Sequence, residues 1–385
     1  MTTRKRADKF PLWWHTGAGA WCKKYKGHFW YFGQDKDAAL ARWVEVKKAV
    51  DTGKDPNPPG GTLTVRELVN AFLSHKRDKV DAGELKAATW GEYFHACEAV
   101  VDEFKKDRAV ADLAPMDFAR LRASAAKRLG PVALSKFITL VRTLFAFGPD
   151  NDLMAVPVKF GKMFDKPSRN VLRLEKARKG PKVIAAADVW KILAAADVQV
   201  RAMVLLGLNA GFGQSDCANL QRRDLARRPG WIDYPRPKTG IARRVPLWAE
   251  TVEAMAAVEK VRPDPRDPAD ADCVFVTRHG NRWVRFKDKG PDRRGVMLDS
   301  VNLEFRKACK AAGVVVRGGP YTLRHVFRTI ADETKDRPAI DLIMGHTDPS
   351  VAGYYRELIE DNRLEAVVNH VRAWLLAGKP PEKSG

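Results

Sequence analysis

The chain has 385 residues, with 68 Lys and Arg against 47 Asp and Glu for a formal charge of +21. That length predicts two or three domains rather than one core, and an apolar fraction of 45% excludes wholesale disorder. The cationic excess points to a polyanion, because each cation set against a phosphate releases condensed counterions; charge alone does not separate DNA from RNA or an anionic membrane. Arg4, Lys5 and Arg6 have no apolar run behind them, so no secretory signal is expected. No stretch approaches the roughly 18–20 uninterrupted apolar residues of a membrane span. The five cysteines, Cys22, Cys97, Cys217, Cys273 and Cys309, are scattered and form no CxxC pair. Neither a disulfide framework nor a zinc finger is expected, and a soluble, cytoplasmic protein without metal or cofactor fits.

Residues 1–34 hold seven Lys or Arg, one acidic residue and nine aromatics. The run from Trp21 to Phe32 reads as two short strands joined at Lys26-Gly27, a small basic hairpin. Most of the aromatics are expected to form the core of this small module, while Lys23, Lys24 and Lys26 are the candidates for nucleic-acid contact. Residues 36–51 look helical, and the Pro/Gly-rich stretch 55–61 is a linker.

From Thr62 to about Phe164 the pattern is helical. Thr64 caps a helix with Val65, Leu68, Val69, Phe72 and Leu73 on one face, Thr89-Trp-Gly-Glu92 reads as a capping box, and Pro131 starts a third clear helix. Residues 166–182 are basic and poorly periodic and read as a linker. Beyond them, helices are expected over about 188–208, 215–221, 249–260, 299–312, 322–334, 337–345, 349–357 and 359–376, with strands at Trp231–Tyr234, Ala242–Leu247 and Val274–Val276. The expected fold class is therefore multidomain and mainly α: a small β module (1–55), a helical domain (62–165), a linker (166–182) and a mixed α+β domain (183–385).

Three segments of the last domain stand out. Thr239-Gly240 breaks two strand-like runs and places Lys238 near a hairpin tip, where an ammonium can approach a phosphate or a leaving oxygen. In Tyr321-Thr-Leu-Arg324-His325, Leu323, Val326 and Phe327 share a helical face and Arg324 lies on another. Its planar guanidinium suits two phosphate oxygens at once. In Met344-Gly345-His346-Thr-Asp-Pro-Ser-Val-Ala-Gly-Tyr354-Tyr355, Gly345 ends a helix, Asp348 and Pro349 start another, and His346 lies in the turn between.

In this order and spacing the segments resemble the catalytic domain of the tyrosine recombinases, the phage-type integrases. That family shows a hairpin lysine, an H-x-L-R-H box, an L-G-H turn and a tyrosine nine residues later. The matches here are Lys238, the Tyr321-x-Leu-Arg324-His325 box, Met344-Gly345-His346 and Tyr355, over roughly residues 185–376. The resemblance implies DNA strand transfer without metal or ATP. Tyr355 would attack a phosphodiester, forming a 3′-phosphotyrosine and freeing a 5′-hydroxyl. Arg324 would neutralise the transition state, Lys238 would protonate the leaving oxygen, and His346 would hydrogen-bond the phosphate or manage the proton of Tyr355. Tyr354 is the rival nucleophile, but on a helix it points about 100° away. By architecture, residues 62–165 look like the family's core-binding (SAM-like) domain and the hairpin like its arm-type module. The partners implied are double-stranded DNA and further copies of the chain, dimer to tetramer on DNA. The stripe Leu364, Val367, Val368, Val371, Trp374 and Leu375 would pack either on a neighbouring copy or on its own domain.

Two positions depart from the family pattern. The box histidine is Tyr321, a tolerable change. The first arginine, expected in a T-G-L-R-x-S-E-like turn, is Gly213 in Ala210-Gly211-Phe212-Gly213-Gln214-Ser215-Asp216, with Ser215 expected as helix cap and Asp216 as the supporting acid. By analogy with arginine fingers, such a loss costs roughly 10³- to 10⁵-fold in rate. Arg222, Arg223, Arg243 and Arg244 are candidates to replace the missing guanidinium, and Arg243 and Arg244 are also candidate DNA contacts. A catalytically degenerate DNA-binding regulator and a type IB topoisomerase-like strand relaxer stand as alternatives to the site-specific recombinase.

Overall fold

In the computed structural model, which describes residues 10–15, 20–26, 28–52, 63–236, 240–287, 295–346 and 358–381, the amino-terminal aromatics build a three-stranded antiparallel sheet. Strands β1 (Trp13–His15), β2 (Ala20–Tyr25) and β3 (His28–Tyr31) lie in sequence order, with Trp13 opposite Cys22 and Cys22 opposite Tyr31. The expected hairpin is present, and β1 adds a third strand. Helix α1 (Lys36–Asp51) is capped by Asp35, whose carboxylate accepts from the Ala38 amide at 2.7 Å, and presents Ala39, Trp43 and Val46 inward. Trp43 meets Tyr25 and Phe32 edge-on at 5.2 and 5.9 Å. Trp13, Trp14, Phe29 and Tyr31 remain substantially exposed, so the aromatics of this module divide between core and surface. The linker at 55–61 lies outside the described residues.

Four helices pack around one apolar core: α2 (Val65–Asp81), α3 (Ala87–Phe104), α4 (Pro115–Ala126) and α5 (Pro131–Asp150). Thr64 caps α2 through a reciprocal box with Glu67. Thr89 does not cap α3, which starts two residues earlier with Lys86 at its cap; the apolar residues it was set against begin inside the helix. Helix α5 starts at Pro131 as expected. It is long and apolar enough to cross a membrane, but it buries Leu134, Phe137, Ile138, Val141, Leu144 and Phe145 in this core. Helix α6 (Arg169–Lys179) occupies the stretch read as a linker. It buries no residue, and its Val171 and Leu174 stay exposed among six Lys, Arg and Glu.

The chain divides into two compact units, 1–178 with 288–296, and 179–287 with 297–385. In the second, the expected helix 188–208 is two helices, α7 (Ala186–Ala195) and α8 (Val198–Asn209), because the Asp197 carboxylate takes the Val200 amide at 2.8 Å and starts a new cap. Helix α8 is apolar all round and buried over most of its length. A Cβ on Gly207 would lie 2.8 Å from that of Leu323, so glycine is what lets α8 approach α13 (Tyr321–Ala331). Before α13 come α9 (Gln214–Asn219), α10 (Arg223–Ala226), the antiparallel pair β4 (Trp231–Asp233) and β5 (Arg244–Pro246), α11 (Ala249–Val261), the two-stranded sheet of β6 (Val284–Lys287) and β7 (Val296–Asp299), and α12 (Ser300–Ala311). Val274–Val276 is buried but has only isolated bridges, between Cys273 and Gln221 and between Val276 and Arg282, and so forms no strand. After α13 follow α14 (Arg337–Met344) and α15 (Asp361–Ala377); the helix expected at 349–357 lies outside the described residues. Leu364, Val367, Val368, Val371 and Leu375 of α15 are buried in the core of this same unit, and the indoles of Trp190 and Trp248 donate to the Leu375 and Val368 carbonyls at 2.8 and 2.9 Å. Of the two readings of the stripe, the structure carries packing on its own domain.

One buried carboxylate pins the connection before α4 onto the start of that helix. Asp117 accepts from both terminal nitrogens of Arg108, at 3.0 and 2.7 Å, and from the Ala114 amide at 2.8 Å. The Arg108 hydrogen bonds chiefly hold its pKa down at about 2. A carboxylate lowered in this way stabilises the fold above its unfolded value near ~4 and loses that contribution as pH falls towards ~2. Asp117→Ala should cost about 1–3 kcal/mol at neutral pH, and its stability difference from wild type should shrink between pH 4 and 2 in urea unfolding. A difference independent of pH would rule out the ionic origin.

Candidate functional site

The site begins with a buried guanidinium. Leu323, Val326 and Phe327 turn one face of α13 into the core, and Arg324, expected on a free face, is also buried, at 2% exposure. Its Nη1 donates to the Gly211 carbonyl, and its Nη2 to the Met344 carbonyl at 2.7 Å and to His346 Nε2 at 2.8 Å. Burial first, and the charge of Arg236 second, lower its pKa to about 10, so it stays charged at neutral pH. No carboxylate among the described residues forms an ion pair with it.

Both backbone turns that meet Arg324 require glycine. Gly211 has φ +60°, and a Cβ there would meet the Phe327 ring at 3.0 Å. Gly345, with φ +63°, ends α14 in the left-handed conformation, and the His346 amide reaches back to the Asp341 carbonyl at 2.9 Å. A Cβ on Gly345 would stand 2.9 Å from Arg236 Cβ and from Arg243 Cγ and Cδ.

His346 is placed between two partners, Arg324 at Nε2 and Asp341 Oδ1 at 3.3 Å from Nδ1. A guanidinium has no acceptor, so Nε2 must accept, and the pattern assigns a neutral imidazole with its proton on Nδ1 facing Asp341. Burial, then the Arg324 charge, lower the histidine's pKa, opposed by the Asp341 hydrogen bond. Asp341 is further held by Arg328 at 2.7 Å and Arg337 at 3.4 Å.

Asp216 builds the neighbouring wall. It accepts from the Gly213 amide at 2.8 Å and pairs with Arg243 at 2.9 Å. Gly213, not Ser215, is the residue that caps α9, because the helix starts one residue before Ser215. Arg243 has a fully covered side chain between the rings of Phe212 and Tyr234, 4.4 and 4.8 Å from their centroids. Its reading as a surface DNA contact is therefore wrong: it is an internal brace held by Asp216 and the Tyr234 carbonyl. The atoms nearest a Gly213 Cβ are those of the Tyr321 ring and Asp216 Oδ2, and of the four expected arginines Arg243 is the one that pairs with this carboxylate. The ring of Tyr321 lies 3.0 Å from where a Gly213 Cβ would be, and packs edge-on against the exposed His325 at 5.5 Å. Arg222 pairs with Glu259, Arg223 with Asp272 and Arg244 with Asp361.

Lys238, Tyr354 and Tyr355 lie outside the described residues. In the amino-terminal module, Lys26 pairs with Asp51 at 3.2 Å, whereas Lys23 and Lys24 lie over Trp43 and Phe29 at 5.9 and 5.4 Å. No cluster of three or more His, Cys, Asp or Glu suited to a metal occurs among the described residues. Two residues of the site were missed from the sequence, Asp341 and Arg236. An acid one turn before a helix-ending Gly-His, and an arginine two residues before Lys238 in the sequence, are the signals that could have found them.

The fold is that of integrases. A lambda integrase dimer bound to a core site aligns with TM-score 0.52 and 13% identity, over 93% of this chain and 99% of that one. The Tn1549 transposon integrase in complex with circular intermediate DNA aligns with TM-score 0.55 and 16% identity, over 79% of this chain and 98% of that one. Residues 182–361 match the phage integrase family. Tyrosine recombinase XerD of Caulobacter vibrioides is 27% identical over 202 residues, 50% of this chain and 62% of that protein. XerD of Rhizobium meliloti is 23% identical over 220 residues, 54% of this chain and 66% of that protein. The matched region spans just under two thirds of each of these relatives. Residues 182–361 are therefore a domain of the phage integrase family, the tyrosine recombinases.

Two outcomes follow from this geometry. Gly345→Ala should destabilise the protein by about 1–3 kcal/mol, from the left-handed backbone alone, measured by urea unfolding; an unchanged midpoint would mean the turn can open. His346 should titrate below the ordinary histidine value of about 6.5 when followed by NMR of its ring carbons. Because its folded pKa is lowered, the unfolded chain takes up the proton first, and the His346 contribution to stability is lost as pH falls through that value. A midpoint above the ordinary value would refute the neutral assignment.

Proposed function

We propose that this chain is a site-specific DNA recombinase of the integrase type, cutting and rejoining strands through a 3′-phosphotyrosine on Tyr355. The observation that carries the reading is the Arg324–His346 pair: a charged guanidinium without a carboxylate and a neutral imidazole, fixed on one turn of a phage integrase domain. In the proposed step the Tyr355 oxygen bonds to phosphorus as the bond to the 5′-oxygen breaks. Arg324 balances the charge on the phosphoryl oxygens, and Lys238 supplies the proton to the leaving 5′-oxygen. His346 has its Nδ1 proton engaged by Asp341 and its Nε2 lone pair engaged by Arg324, so it can accept the tyrosine proton once Arg324 turns its Nη2 from Nε2 to the phosphate. Religation reverses the step with a different 5′-hydroxyl, so no external energy source is required.

The +21 charge supports double-stranded DNA as the partner, with Lys23, Lys24 and the 62–165 helices gripping sequence beside the cut. Neighbours of the same fold are a lambda integrase dimer bound to a core site and a lambda integrase tetramer bound to a Holliday junction, and we extend assembly on DNA to this chain. In this scheme residues 1–55 are an arm-type module, 62–165 a core-binding domain and 183–385 the catalytic domain.

The test is a nicked suicide duplex made from the DNA flanking the gene. Wild type and Tyr354→Phe should form a covalent adduct on a denaturing gel, and Tyr355→Phe none, while all three bind the duplex about equally. Binding without any adduct would leave a DNA-binding regulator in place of the recombinase, and adducts persisting in Tyr355→Phe would move the nucleophile. Binding should weaken steeply with salt, with a log–log slope of several units. A slope near zero would reject the nucleic-acid partner.

A further inference from the structure

We propose that Arg236 is the second guanidinium of the phosphate site, joining Arg324 and His346 from the hairpin strand in place of an arginine at Gly213.

The argument rests on charge accounting around one turn. The Cβ of Arg236 sits against Gly345, and its Nη1 reaches the Gly345 carbonyl at 3.4 Å, a long and weak hydrogen bond. Arg324 grips the adjacent carbonyl, that of Met344, and the adjacent side chain, His346. Two guanidinium groups thus converge on residues 344–346 from opposite elements. They are close enough that Arg236 lowers the pKa of Arg324, of His346 and of Arg243.

The nearby carboxylates are already engaged. Asp216 is taken by the buried Arg243, and Asp341 by Arg328, Arg337 and His346. Among the described residues neither Arg236 nor Arg324 has a carboxylate partner. Bringing two like charges together in a half-buried site, without a counter-ion, is unfavourable unless an anion completes it. An anion seated over 344–346 would meet the remaining donors of two guanidinium groups, which a phosphate's several oxygens can accept.

The same accounting separates Arg236 from other arginines. Arg222, Arg223, Arg243 and Arg244 each have a carboxylate partner, which Arg236 lacks among the described residues; Arg243 keeps Nη1 without a partner, but its side chain is fully covered. The backbone of Arg236 is fixed, with its amide donating to the Ile241 carbonyl at 2.8 Å and its carbonyl accepting from the Gly240 amide at 2.8 Å. The side chain is therefore delivered by a hydrogen-bonded hairpin. Beside Gly213 the Tyr321 ring stands 3.0 Å from where a Cβ would be, so a side chain there would have to displace it.

That an anion binds here stands on the charges alone; that it is a DNA phosphodiester rests on the recombinase reading. The test therefore uses inorganic phosphate with the full-length protein and follows the His346 ring resonance, assigned with His346→Asn. Phosphate should shift this resonance and raise the His346 pKa in wild type. Arg236→Gln should weaken that response about tenfold or more, the loss expected for one charge-assisted partner. Arg236→Lys, which keeps the charge and loses the fork, should fall between, and Arg222→Gln should match wild type. Thermal melting checks that each variant is folded, and Arg236→Lys stands in should Arg236→Gln fail to fold. A wild-type resonance indifferent to phosphate overturns the proposal, as does a wild-type response in Arg236→Gln. If phosphate binding depends on Arg236 but no DNA adduct forms, the anion site stands and the recombinase reading falls. If Arg236→Gln still forms adducts at the wild-type rate and binds phosphate normally, the reverse holds.

Discussion

The buried guanidinium of Arg324 is the constraint around which the second unit is arranged. Removing an arginine from water costs several kcal/mol even after relaxation, so its hydrogen bonds must be supplied by groups that have nothing better to do. Gly211 and Met344 provide carbonyls left free where α8 and α14 end. The Met344 carbonyl, in the last turn of α14, is unsatisfied by its helix and carries the negative end of its dipole, while that of Gly211 lies just beyond the end of α8. Two helix termini from distant parts of the chain are thereby drawn to one side chain on α13. The left-handed glycines at 211 and 345 are the local consequence, since each carbonyl must turn back towards the arginine immediately after its helix stops.

Asp216 and Arg243 form the companion pair that makes this affordable. Arg243 is sandwiched between Phe212 and Tyr234 and supports the Gly345 turn from beneath, while Asp216 holds both Arg243 and the Gly213 amide. The hairpin, the 211–216 turn and the 344–346 turn are thus connected through one buried ion pair. Burial raises the Tyr234 hydroxyl's pKa and lowers that of Arg243, but the nearby carboxylate keeps the arginine in its charged, bridging form. The pair acts as a frame, and the charges left over belong to Arg324 and Arg236.

Motif order was the legible part of the site. Gly211, Asp216, Arg324, Gly345 and His346 could be singled out because each depends on local chemistry: a turn that needs glycine, a planar donor, an imidazole after a helix stop. The structure brings these residues together. The roles of Arg243 and Arg236 were not legible, because a sequence shows how many arginines a hairpin carries but not which side of the strand meets an acid. Arg243 meets Asp216 and disappears inside; Arg236, seven residues earlier, meets only a carbonyl. In the fold, amphipathic helices such as α2 and α5 declared themselves through their buried faces. Helix α6 did not, because it buries nothing, and the break between α7 and α8 was hidden because both sides of Asp197 are apolar. The third strand of the amino-terminal sheet was missed for a related reason: Trp13 and Trp14 stay largely exposed, so the alternation of a half-buried strand is absent.

The charge pattern also bears on why His346 is neutral. A protonated imidazole beside two guanidinium groups that have no carboxylate partner among the described residues would add a third like charge to the same turn, and Asp341 is already shared with two other arginines. The hydrogen bonds of the turn therefore favour neutral histidine. On the proposal above, a phosphate would offset the charge of both arginines and so favour an imidazolium. Proton uptake at His346 is then coupled to the presence of the anion. In that reading the base strengthens once the phosphate draws Arg324 away from Nε2, and it can accept the nucleophile's proton at that moment.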